Sequence, residues 1–174
     1  MSTSATTKAG INAALLAELQ HEGATTKTVL ERVPADKFDW KPHEKSMTFS
    51  RLATHVAEMF NWIKVTLETD VLDFAKEEFK PFEPKTTEEL VEYLEKTLAE
   101  ATEALKNASD ETFFQTWTMR NGEQVYFEMP KIQVIRSFCY NHIYHHRGQL
   151  SVYLRLNDIP VPSIYGPSAD EGQM

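Results

Sequence analysis

Residues Asn141 to Leu150, N-H-I-Y-H-H-R-G-Q-L, lie in the middle of the last long helical pattern of the chain. His142 and His146 are four residues apart. On a helix advancing roughly 100° per residue their rings stack on one face about one turn apart, which is chelate spacing. With residues 131–157 taken as one uniform helix, Ile135, Cys139, His142, His146, Gln149, Leu150 and Tyr153 share one sector. Arg136, Tyr140, Tyr144, Arg147 and Arg155 fall outside that stripe, which is about 100° wide. Two histidines and a glutamine inside a buried stripe need partners, because a buried polar group without one costs on the order of 1 to 3 kcal/mol. A bound metal is one such partner; hydrogen bonding within the core is the other. His145 lands at the stripe's edge and reads as a rim residue.

Three further helical patterns precede this one. The first runs from about Ala9 to Arg32 on a stripe including Leu15, Leu19, Thr26 and Val29, and Pro34 closes it. The second runs from about Phe49 to Glu68, with Thr48 or Ser46 as its cap and Leu52, His55, Val56, Met59 and Ile63 along one side. The third runs from Thr86 or Thr87 to about Lys106, where T-T-E-E-L places acidic residues in the first turn. Between the third and fourth patterns, Asn121-Gly122 flanked by W-T-M and Q-V-Y-F reads as a type I′ hairpin or an extended excursion. Pro130 suits the start of the last helix. The proline-rich tail after Asp158 reads as extended, packing on the bundle through Ile164 and Tyr165. These patterns predict an all-α four-helix bundle, one domain over 1–174, with the hairpin or excursion before the last helix.

Composition bounds the partners. A formal net charge of −8 with no basic cluster disfavours nucleic acid and anionic membranes. No window approaches 18 apolar residues and the N-terminus lacks a signal-peptide pattern, so the expected compartment is the cytoplasm. The single cysteine, Cys139, excludes an internal disulfide and a cysteine-rich zinc site, and fits a small apolar core residue better than a catalytic thiol.

The second helix offers a candidate third ligand, although a histidine in a core stripe also reads as a satisfied core residue. His55 lies in the stripe of Leu52, Val56, Met59 and Ile63 and faces the same core as His142 and His146. Three histidines from two helices leave at least one coordination position for water or substrate, the arrangement of a catalytic rather than a sealed site. Glu58 and Gln149 are the candidate catalytic residues. Glu58 reads either as a solvated residue or as an acceptor for an imidazole N–H or a general base, and Gln149 as a holder of bound water or an internally bonded amide. His21 and His43 read as solvated. Trp62, Trp117, Tyr144 and Tyr153 fit core packing first and a substrate mouth second.

Three stretches resemble the DinB-like family, the damage-inducible bacterial group related to mycothiol-dependent maleylpyruvate isomerases and bacillithiol transferases. They are F-D-W-K-P-H-E-K-S-M-T-F-S-R-L-A-T-H-V-A-E (38–58), H-I-Y-H-H-R-G-Q-L (142–150) and I-P-V-P-S-I-Y-G-P-S-A-D-E (159–171). The resemblance implies up-down-down-up topology, a divalent metal (Zn, Ni, Fe or Mn) on His55, His142 and His146, and a homodimer. It also implies a metal-dependent thiol transferase or hydrolase acting on a small molecule, with a low-molecular-weight thiol as a further cofactor. The alternative is a non-enzymatic metal-binding or interaction module of the stress response.

Overall fold

A computed structural model describes residues 10–78 and 80–172. The expected helix start at Ala9 and the N-terminal segment before it lie outside the described residues.

Helix α1 spans Ile11–Leu30. It has no side-chain cap of its own, and Asp110 supplies one from across the bundle, its Oδ1 accepting from Ile11 N at 2.8 Å. A carboxylate at that end also complements the helix dipole. The expected second helix is two helices, α2 (Phe49–Glu58) and α3 (Asn61–Glu68), with Thr48 capping α2 through Arg51 N. At the break the Ala57 carbonyl accepts from Phe60 N and from the Thr97 hydroxyl. A side-chain hydroxyl entering the hydrogen-bond ladder and a tightened three-residue bond are a sufficient local cause for the interruption. Helix α4 spans Thr87–Asn107. Its Thr86 cap accepts from Glu89 N, as the T-T-E-E-L pattern predicted, and Glu89 also reaches back to Lys85 N, one residue before the cap.

The last helical stretch begins with α5 (Lys131–Gln133), passes through π-helical turns over Val134–Tyr140, and continues as α6 (Asn141–Leu156). A π turn takes more residues than an α turn, so the helix face does not follow one uniform wheel. This corrects the stripe read from sequence: Tyr140 and Arg147 are buried, with Arg147 only 1% exposed, while Gln149 is exposed. The helix ends in a Schellman turn, with Asp158 at φ 56° and Ile159 N bonding Leu154 O.

Residue pairs fix the helix directions. Ile11 meets Asp110 and Lys27 meets Glu95, so α1 and α4 are antiparallel. Leu15 meets Tyr140 and Glu22 meets Arg147, so α1 and α6 are parallel. Phe49 packs on Tyr153 and Trp62 on Phe138, which makes α2–α3 antiparallel to the last helix. Ala57 meets Thr97, and Leu67 and Ala104 line one crevice, so α2–α3 and α4 run parallel. The bundle is therefore up-down-down-up.

The fold is mostly helical but not purely so, because a three-stranded mixed sheet accompanies the bundle. β2 (Thr116–Asn121) pairs antiparallel with β3 (Gln124–Pro130), and β1 (Val71–Asp73) adds parallel to β2. Asn121 pairs with Gln124, so the turn residues are Gly122-Glu123 rather than Asn121-Gly122. Positive φ occurs at Gly122 (59°) but not at Glu123, the II′ pattern instead of I′. Buried Asp73 ties the turn to β1, accepting from Gly122 N at 2.9 Å and pairing with Arg120. Under the sheet Trp117, Met119 and Val134 form a small cluster with Phe127 and Phe138. Buried Lys131 donates to Leu67 O, closing the end of α3.

Candidate metal centre

His55 on α2 and His142 and His146 on α6 converge, their ligating atoms all within 4.8 Å of one another. His142 Nε2 lies 3.3 Å from His55 Nε2 and 2.8 Å from His146 Nε2. The other nitrogen of each ring has its own acceptor. His55 Nδ1 meets Glu58 Oε1 at 2.6 Å, and His146 Nδ1 meets Gln149 Oε1 at 2.7 Å. His142 bonds the backbone of Phe138, one turn earlier in the π-helical stretch. A carboxylate only accepts, so Glu58 places the proton of His55 on Nδ1; Gln149, whose amide nitrogen donates to His145, does the same for His146. The lone pairs of the Nε2 atoms are then turned on one another at hydrogen-bond distance with no proton between them. That arrangement is repulsive unless a cation sits among them, and it is the tautomer in which histidines ligate a metal through Nε2. The residues present thus fit a divalent ion, and imidazole ligands suit zinc, nickel and iron alike.

Surroundings lock the rings. Phe138 packs edge-on against His142 at 5.6 Å and is itself held between Trp62 and Phe127. The sheet therefore braces the centre from behind. Buried Glu58 accepts from Arg51 Nη2 at 2.9 Å as well as from His55. Burial alone would push its carboxyl up, but the hydrogen bonds from His55 and Arg51 and the Arg51 charge hold it below the usual range. Burial lowers His142 to about 4, helped by the charges of His146 and His55. His146 is also lowered, first by burial.

With a folded-state value of about 4 against an ordinary 6.5, the unfolded chain takes up the His142 proton first as pH falls. Metal-free protein should lose stability as pH drops from 6.5 toward 4, and a His142→Gln variant should lose less over that window. Urea melts at several pH values check this; parallel curves for the two proteins would contradict it.

Both candidate catalytic residues lie beside the centre, each as a ring acceptor. The structure decides against a solvated Glu58, which is 4% exposed. Gln149 is exposed rather than a buried amide, spanning His146 and His145. Exposed His145 sits at the rim as expected, while His21 and His43 are exposed and not among the converging side chains. Cys139 is fully buried and burial pushes its thiol up to about 12, so it is a packing residue. Of the four aromatics weighed for a substrate mouth, Tyr153 borders a cleft beside His146. Trp117 lies under the sheet, Trp62 packs on Phe138, and Tyr144 bonds Glu18. That cleft, about 360 Å³, is lined by Pro42, Ser46, Met47, His146, Gln149, Val152 and Tyr153. Its loop wall is anchored by Trp40 on Tyr153 and by the Tyr153 hydroxyl on Met47 O. Sequence reasoning missed Arg51; its place four residues before His55 and seven before Glu58, on one helix face, was the available signal. The Phe138 backbone acceptor had no sequence signal.

Fold and site together define a class: an up-down-down-up helical bundle with a three-histidine centre beside a small cleft. The chain belongs to the DinB family, whose family model matches residues 1–173. A DinB-like protein from Bacillus cereus is similar at 21% identity and a TM-score of 0.66, covering 88% of this chain and 97% of that one. A second, from Bacillus subtilis, is similar at 15% identity and a TM-score of 0.68, covering 87% and 96%. At these identities both speak to the fold alone. No curated protein matches the chain by sequence. Among the described residues no helix is long and apolar enough to cross a membrane.

Proposed function

We propose that this protein is a metal-dependent enzyme of small-molecule chemistry, its divalent ion held by His55, His142 and His146. The observation that carries the reading is the set of converging Nε2 atoms with their Nδ1 partners fixed, one member of which, His146, borders a cleft of about 360 Å³. A divalent ion there supplies Lewis-acid chemistry, making a thiol or water in an open coordination position more acidic. The chain's own residues do the rest: Glu58, Gln149 and the Phe138 backbone orient the rings. Met47, Val152 and Tyr153 give the substrate an apolar wall, and Ser46 offers a hydroxyl.

Between thiol transfer and hydrolysis the geometry favours thiol transfer. Glu58 bonds the Nδ1 side of His55, away from the converging Nε2 atoms, and among the described residues no carboxylate lines the cleft. A thiol needs less help than water in losing its proton. The same reading takes the protein as cytosolic and as a homodimer.

The test is a screen of metal-loaded protein against low-molecular-weight thiols paired with electrophilic acceptors, alongside ester and amide substrates without thiol. Thiol-dependent turnover that disappears in His146→Ala and in the cleft-filling Val152→Trp variant is the expected result. Stoichiometric metal with no turnover in either arm would replace this reading with that of a non-enzymatic metal-binding module.

A further inference from the structure

Arg51, His55 and Glu58 occupy one face of α2, one turn before the ligand and nearly one turn after it. The Arg51 side chain runs past His55 to donate from Nη2 to Glu58 Oε1 at 2.9 Å, and that same oxygen faces His55 Nδ1 at 2.6 Å. The carboxylate is nearly closed off from solvent, with 5% of its side chain exposed, whereas Arg51 retains 32%. A carboxylate bonded by a ring N–H alone can rotate about its own side-chain torsions. With a guanidinium on the same oxygen it is held from two directions.

We propose that Arg51 is a positioning residue for the histidine centre and acts only through Glu58. Its guanidinium pins the oxygen that fixes the tautomer and tilt of His55, and Arg51 itself contacts no ligand nitrogen. This inference rests on the reading of the three histidines as a metal centre. It carries a distinctive consequence, because the sign of the Arg51 effect depends on its partner. With Glu58 present, Arg51 organises a ligand. Without Glu58 it is an uncompensated cation near a site meant for a dication.

The experiment is a double-mutant cycle on full-length protein: wild type, R51M, E58A and R51M/E58A, with R51K as the charge-conserving variant. Zn²⁺ dissociation constants come from chelator competition and the coordination geometry from Co²⁺ absorption spectra, with metal-free melts confirming that each variant is folded. Losing an orienting partner typically weakens a metal site about 10- to 100-fold, so E58A is expected in that range and R51M near its lower end, both with altered Co²⁺ spectra. In the E58A background, R51M is expected to leave affinity unchanged or to tighten it. If R51M does not fold, R51Q and R51Q/E58A, which also remove the charge, carry the same comparison, while R51K is expected to keep most of the wild-type affinity. An Arg51 effect of equal size in both backgrounds, or none in either, overturns the inference while leaving the metal centre standing. A wild type that binds no Zn²⁺ overturns the metal centre itself.

Discussion

Adding Zn²⁺ to metal-free protein should raise its melting temperature by roughly 8 to 16 °C, and the rise should vanish in His142→Ala. A ligand that binds only the folded state stabilises it by about 4 kcal/mol when present at about 1,000 times its dissociation constant. For a chain of this size each kcal/mol moves the melting temperature by roughly 2–4 °C. His142 is the residue to remove because its Nε2 approaches both other rings, 3.3 Å from His55 and 2.8 Å from His146. The metal-free variant should itself melt no lower than the metal-free wild type by more than a few degrees, since one member of a mutually repelling set has gone. Differential scanning calorimetry with Zn²⁺, Ni²⁺ and Mn²⁺ in turn gives the answer. No shift with any of the three would remove the basis of the account.

Arg147→Met should be the most destabilising single change outside the histidine centre, at about 3–5 kcal/mol or a fall of roughly 6 to 20 °C in melting temperature. Arg147 is 1% exposed and Glu22 4%. The guanidinium donates to Glu22 Oε2 at 2.6 Å, to the Glu22 carbonyl at 3.1 Å and to the Thr26 hydroxyl at 3.0 Å. Tyr165 from the C-terminal tail donates to the same carboxylate at 2.8 Å. Removing the arginine leaves a buried anion whose solvent is protein. Replacing Arg147 and Glu22 together by Met and Leu should restore most of the loss, because the pair's attraction largely offsets its own desolvation. Equal losses in the single and double variants, by thermal melt, would show that the cluster stabilises by packing and not by charge.

How much of this was legible in the chain depends on the range of the interaction. The four helical segments follow from local periodicity, and two of them from local caps as well, with Thr48 and Thr86 capping as their sequences indicate. His55, His142 and His146 were legible because two helical faces sharing one core must bring their polar residues together. The features that escaped depend on non-local partners. Thr97 of α4 helps to break the second helix at Ala57. β1 is three residues long and is a strand only because β2 lies beside it. The π-helical turns invalidate a uniform wheel, which is why Arg147 and Tyr140 were misplaced on the surface side. Even so His142 and His146 follow those turns on α6, so their spacing of four kept its meaning.

The most direct test of the central claim is metal content measured by elemental analysis, on protein purified without a histidine tag and incubated with divalent ions. The wild type is compared with the variant in which His55, His142 and His146 are all alanine. The account predicts close to one equivalent of metal in the first and none in the second; no metal in either, or equal metal in both, would contradict it.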